Sequence, residues 1–216
     1  PIGDKEGISL ENGLVRMPPG FIDAFNQYIQ GGWASVAGSK KYGGQEMPWN
    51  IVGALNEIWH AANMSFSLNM LLTQGAIEVI EAYGTEEQKQ RMLRPMAEGR
   101  AKACFAVTEP NTGLNTTQLK TLAVRKGNRY IVNGQKVWIS TAQVADKVLL
   151  LARTTPLEAV KKPTHGLSLF YTDFDRKKIT VHEIEKMGRK AVDSNGVTLD
   201  NVKKDVRGSI YDRNGN

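Results

Sequence analysis

Residues 106–117 read AVTEPNTGLNTT. This stretch stands where the chain changes its grammar, so its reading decides the fold. Pro110 and Gly113 turn the backbone, and a turned backbone can offer several N–H and hydroxyl groups to one ligand, with Thr108 adding another hydroxyl. The same residue types also suit a plain crossing from one half of a fold to the other.

Upstream of the stretch the spacing is helical. In PPGFIDAFNQYIQGG, Phe21, Ala24, Phe25, Tyr28 and Ile29 recur on one face, with Pro18-Pro19 at the entry and Gly31-Gly32 at the exit. Trp49, Val52, Leu55, Ile58 and Trp59 mark a second helix, and Phe66 to Tyr83 continues in the same manner up to Gly84. Thr85 and Gln88 have the spacing of a capping box, and Pro95 predicts a kink or break in the helix that follows.

Downstream, short runs rich in β-branched and aromatic residues predict strands over 103–108, 121–125, 129–132, 136–140, 147–153, 167–172, 179–184 and 196–202. Lys126-Gly127-Asn128 and Asn133-Gly134 both read as turns, which makes the three strands around them a meander. The expected fold class is therefore α+β: an N-terminal helical domain (1–102), then an antiparallel β-sandwich or barrel middle domain (103–202), then a polar tail over 203–216 that reads as a linker. Alternation within 136–140 places Trp138 and Ser140 on one face, with Ile139 on the other.

Composition narrows the function classes. With 41% apolar residues in 216, the chain can build a substantial core, and it contains no apolar run long enough to span a bilayer. It reads as soluble and cytoplasmic. The net charge of +6 is spread over scattered pairs and triplets rather than a basic stripe with interleaved aromatics, so nucleic-acid binding is not expected. The single cysteine, Cys104, sits in an apolar run and reads as a buried filler. His60, His165 and His182 are too dispersed to suggest a metal site, and neither a G-x-G-x-x-G nor a G-x-x-x-x-G-K-[ST] phosphate loop occurs. The strand carrying Trp138 and the Thr108 loop remain as the candidate site.

AVTEPNTG, followed some twenty residues later by YIVNGQKVWIST and then by KMGRKAVDSNGVTLDNV, resembles the middle domain of the acyl-CoA dehydrogenase family of flavoproteins. KKYGGQEMP and YGTEEQKQRMLRPMAEGRAKACFAVTEP are similar to the same family's helical domain running into its β-domain. The resemblance covers about Pro19 to Val202. It implies FAD as cofactor and an acyl-CoA as substrate. It further implies that Phe105, Val107, Thr108, Gly113 and the backbone up to Leu114 line the flavin, with Thr108 at the pyrimidine end. Trp138 would pack on the isoalloxazine, Ile139 would complete the cofactor set, and the Ser140 hydroxyl would lie near N5, where the family usually has threonine. Donors placed there stabilise the charge of reduced flavin, and an aromatic wall excludes water.

Departures from the family pattern matter for the substrate. Leu114 and Asn115 stand where the family usually has serine and aspartate, so the acyl-arm contact loses a hydroxyl, and Asn115 is expected to hold the turn by bonding backbone groups. Lys203-Lys204-Asp205 replaces a usual valine-proline at the exit of the β-domain. In the family the catalytic glutamate, most of the tetramer interface and half the FAD contacts come from a C-terminal helical domain. The chain therefore reads as a truncated form with no catalytic residue of its own, an inactive fragment of an enzyme that would be a homo-oligomer when full length. The full enzyme's implied reaction is α,β-dehydrogenation of a fatty acyl thioester, as in β-oxidation, with an electron-transfer flavoprotein as acceptor. Two other readings stay open: a flavin-dependent oxidase or monooxygenase on the same scaffold, which oxygen reactivity would reveal, and a non-catalytic binding module, which would take up no FAD.

Overall fold

The computed structural model describes residues 2–11, 14–205 and 209–212. It divides into two compact units, Pro1–Lys102 with Glu185–Asp193, and Ala103–Ile184 with Ser194–Asn216. A helical region followed by a curled mixed sheet makes the chain α+β.

The helical unit opens with α1 (Ile2–Glu6) and a small hairpin of β1 (Ser9–Glu11) and β2 (Leu14–Arg16). Helix α2 (Phe21–Gln30) buries Phe21 and Tyr28, one face of the predicted period. The next two predicted helices follow as the two segments of α3 (Trp49–Tyr83), separated by a kink at Asn63 where φ is −161° and ψ is 98°. The Asn63 side chain accepts from the Phe66 amide at 3.1 Å, so it caps the second segment as Asn does at a helix start. Tyr28, Trp33, Trp59 and Phe66 pack edge to face around this break, the Tyr28 and Trp59 rings lying 5.2 Å apart.

Helix α4 (Glu86–Ala97) begins with the expected capping box: the Thr85 hydroxyl accepts from the Gln88 amide at 3.2 Å, and the Gln88 side chain accepts from the Thr85 amide at 2.8 Å. It runs two residues past Pro95 before ending, and the amides of Arg100 and Ala101 both return to the Pro95 carbonyl. Residues 185–193, counted in sequence with the β-domain, belong to this helical unit. The Lys190 amide donates to Asp4 at 2.8 Å and the Asn69 side chain to the Ala191 carbonyl at 3.2 Å.

The second unit is an eight-stranded sheet: β3 (Ala103–Ala106), β4 (Leu122–Lys126), β5 (Arg129–Ser140), β6 (Lys147–Arg153), β7 (Leu167–Asp173), β8 (Ile179–Glu183), β9 (Ser194–Asp205) and β10 (Ser209–Asp212). Its strand order is β10-β7-β6-β4-β5-β9-β8, with β3 beside β6. Two contacts depart from an antiparallel design. One edge of β6 pairs in parallel with β3 along 147–150 and with β4 at Arg153, so two strands share that edge end to end. Cys104, Ala106, Val132, Ile139, Leu150, Phe170 and Val202 lie in its core.

Lys126-Gly127-Asn128 makes the predicted turn between β4 and β5. The predicted hairpin at Asn133-Gly134 does not form. β5 continues through it, with a shift of register against β9 between Val132 and Gly134, so the meander has two strands there and not three. The glycine answers a steric demand instead, because a Cβ on Gly134 would lie 2.8 Å from the Thr121 Cα. The predicted linker is also strand in part. Residues 203–205 extend β9, and β10 covers the free edge of β7 through Ser209, Tyr211 and Asp212. The remainder of 203–216 lies outside the described residues.

Candidate functional site

The loop after β3 is folded on itself. Glu109 and Thr112 exchange both backbone hydrogen bonds at 3.0 Å, closing Glu109-Pro110-Asn111-Thr112 into a tight turn. The loop is then fastened to β5: the Val137 amide donates to the Thr108 carbonyl at 2.9 Å, and the Lys136 ammonium donates to the Val107 carbonyl at 2.9 Å. Two motifs thirty residues apart in sequence therefore lie side by side.

β5 is irregular at this point. Lys136 pairs with Val197 and Ile139 with Asn195, so three steps along β5 oppose two along β9, which is a β-bulge. Trp138, inside the bulge, has φ +60°, and Thr141, just beyond it, has φ +62°. Left-handed backbone is costly for bulky and β-branched residues, and such strain gathers at functional sites. Asn195, fully buried, bridges the irregularity by donating to the Ile139 carbonyl at 2.9 Å and accepting from the Gln143 side chain at 3.0 Å. Arg176 donates to the carbonyls of Ala142, Gln143 and Ala145, fixing the turn that follows.

Glu109 and Lys136 form a buried ion pair, 3.0 Å between Lys136 Nζ and Glu109 Oε1, with the residues only 7% and 1% exposed. The carboxylate also accepts from the Lys120 amide at 2.6 Å and the Thr121 amide at 2.9 Å. Burial works to raise the Glu109 pKa, but hydrogen bonds from Thr121 and Lys120 and the Lys136 charge outweigh it and hold the carboxyl below its usual value. Burial pulls the Lys136 ammonium down, an effect that Glu109 only partly offsets. A second buried cation, Arg153, donates to the carbonyls of Leu119, Thr117, Pro163 and His165 and so fixes the far end of the same loop.

The predicted site residues fall into three environments. Phe105, Val107, Thr108 and Ser140 are half-buried, while Gly113, Leu114, Asn115 and Trp138 are exposed. Ile139 is buried in the core, so it has packing to do and no side chain to offer a ligand. Simple alternation does not relate Trp138 to Ser140, since the bulge interrupts it. The Asn115 side chain meets a hydroxyl where backbone groups were expected: its Oδ1 accepts from the Thr117 hydroxyl at 2.7 Å, while its backbone carbonyl accepts from the Gln118 amide at 3.0 Å. Cys104 is buried in the β core. Sequence reading missed Lys136, Arg153 and Asn195, because a buried charge or amide breaks no hydrophobic period that would announce it.

The donor set suits a flat, polar-edged cofactor. Thr108 and Ser140 bring hydroxyls, an exposed indole stands within the same bulge, and the buried Thr141 hydroxyl meets no partner among the described residues. A helical unit followed by a curled mixed sheet, with this loop fastened beside this strand, defines the class: an α+β protein with a strained, polar loop-and-strand site. The sequence profile described as "Acyl-CoA dehydrogenase, N-terminal domain" matches residues 16–100, and "Acyl-CoA dehydrogenase, middle domain" matches residues 104–202. The chain belongs to the acyl-CoA dehydrogenase family.

Among its relatives, 3-methylmercaptopropionyl-CoA dehydrogenase of Ruegeria pomeroyi is 34% identical over 174 residues, covering 78% of this chain and 29% of the relative. The crystal structure of an acyl-CoA dehydrogenase from Geobacillus kaustophilus superposes with TM-score 0.82 at 28% identity, over 89% of this chain and 51% of that one. A glutaryl-CoA dehydrogenase from Mycobacterium smegmatis in complex with FADH2 gives TM-score 0.76 at 26% identity, over 87% of this chain and 47% of that one. The chain thus spans about half or less of the length of these relatives. Among the described residues no helix is long and apolar enough to cross a membrane.

Proposed function

We propose that the chain forms the flavin-facing part of an FAD-dependent acyl-CoA dehydrogenase, with the cofactor held between the Thr108 loop and the Trp138–Ser140 bulge. The observation that carries this reading is the Val137–Thr108 hydrogen bond of 2.9 Å, which brings the two motifs together. When bound, FAD would supply the two-electron acceptor for α,β-dehydrogenation of an acyl thioester. Thr108 and Ser140 would donate hydrogen bonds to its polar edge, and Trp138 would cover one face and exclude water. Leu114 and Asn115, both exposed, would meet the acyl-CoA arm.

Proton abstraction lies elsewhere. Glu109, the carboxylate inside the loop, is committed to Lys136 and two backbone amides, and a base so engaged cannot swing to a substrate. The resemblance assigns the base to a C-terminal helical domain, along with much of the oligomer interface, and makes an electron-transfer flavoprotein the acceptor. Residues 1–102 and 103–202 are accordingly read as the first two domains of the enzyme. The test is to load the 216-residue chain with FAD and mix it anaerobically with saturated acyl-CoAs of several lengths. FAD uptake without flavin bleaching is expected. Rapid bleaching that disappears in a Glu109→Gln variant shown by its melt and flavin absorbance to be folded and FAD-loaded would overturn the assignment and make Glu109 the base.

A further inference from the structure

The buried pair adjoins the Thr108 loop, with the Lys136 side chain wholly buried and that of Glu109 nearly so. Lys136 Nζ is held by Val107 O at 2.9 Å and Glu109 Oε1 at 3.0 Å, one residue on either side of Thr108. Glu109 in turn accepts from the amides of Lys120 and Thr121, at the entry to β4. A single ammonium therefore fixes both flanks of Thr108, and a single carboxylate ties that stretch to the next strand. On the β5 side, Lys136 is the last residue in register before the bulge that displaces Trp138. The two halves of the site share this one anchor. An apolar contact would hold the segments together, but it would fix neither the orientation of the Val107 carbonyl nor that of the Thr108 peptide, whereas a directional ammonium bond fixes both.

We propose that Lys136, through Glu109, is a positioning residue that presents the Thr108 loop and the Trp138 bulge to the flavin in one geometry. The proposal rests on the flavin reading given above. Lys136 touches neither cofactor nor substrate; it acts through the Val107 carbonyl and the Glu109 carboxylate.

Removing one partner alone leaves a buried charge without its counter-ion and could unfold the chain, so the informative variant removes both charges. Glu109→Gln with Lys136→Met keeps the volumes close and leaves no orphan ion. FAD binding to the 216-residue chain, followed by flavin fluorescence, is compared between wild type, this double variant and Lys136→Arg, with thermal melts and amide exchange of residues 107–113 measured alongside. The proposal expects a double variant that melts cooperatively, binds FAD at least tenfold more weakly and exchanges its 107–113 amides faster, with Lys136→Arg regaining part of the affinity. A folded double variant with wild-type affinity and unchanged loop exchange would overturn it. Wild-type chain that takes up no FAD would remove the flavin reading, and with it the positioning role, even if loop exchange still rose in the variant.

Discussion

Two lysine–glutamate pairs in this chain have similar geometry and opposite surroundings. Lys41 and Glu86 meet at 2.6 Å with side chains more than half exposed, whereas Lys136 and Glu109 meet at 3.0 Å in the interior. In the first, the hydrogen bond from Lys41 leads the effects that lower the Glu86 pKa to about 2, yet both groups stand in water where salt screens them. In the second, burial itself is the largest effect on either group; Glu109 alone opposes it for Lys136, while two backbone amides and Lys136 together offset it for Glu109. The shorter contact is not the more consequential one; the environment decides.

The comparison can be broken most directly by removing one lysine from each pair. Lys136→Ala should destabilise the chain by about 3–5 kcal/mol, the usual cost of stranding a buried partner, read as a lowered urea midpoint. Lys41→Ala should move that midpoint by no more than the scatter between repeats. Equal losses would show that burial does not separate the two pairs.

Acid sharpens the same contrast. Because the folded Glu109 pKa lies below its ordinary value of 4.5, its contribution is fully present above that pH and is lost as pH falls through the lower folded value. Thermal melts taken from neutral pH downward should therefore show a steeper loss below about pH 4.5 in wild type than in the Glu109→Gln, Lys136→Met double variant. Parallel curves would mean that the carboxylate gains nothing from its partners.

These pairs also show what the sequence could and could not reveal. Helix α2 and the Thr85–Gln88 box were legible because their signals are local: a period of apolar residues, and two polar residues three apart. The Asn133-Gly134 hairpin was misread because glycine has two uses, and the one at work here, room for Thr121, depends on how the residue before β4 packs across the β4–β5 pair. Lys136 was illegible for the same reason. In QKVWIS it reads as a solvated strand residue, and only the return of the Val107–Glu109 loop onto β5 gives its charge a buried partner. Resemblance proposes Thr108, Trp138 and Ser140 as the site, while Lys136, Arg153 and Asn195, whose hydrogen bonds fasten the neighbouring backbone, carry no pattern of their own.

A smaller effect is expected at the bulge. Trp138 is 62% exposed and left-handed, so Trp138→Gly relieves strain while giving up little packing. Stability should hold or rise by up to about 1 kcal/mol, and FAD affinity should fall. A clear loss of stability would show that the indole packs in the fold and does not wait for a ligand. The smallest effect belongs to Asn115, whose side chain only meets Thr117. Asn115→Asp in the full-length enzyme should alter kcat/KM by less than about tenfold, and a loss near a thousandfold, ~4 kcal/mol in barrier terms, would make the position catalytic.

The central claim is that one cofactor bridges the Thr108 loop and the Trp138 bulge. Hydrogen–deuterium exchange of the 216-residue chain with and without saturating FAD tests it residue by residue. The account predicts that FAD slows exchange jointly over 105–114 and 137–141 and leaves β8 and β10 unchanged. Protection confined to other segments, or none over these two, would contradict it.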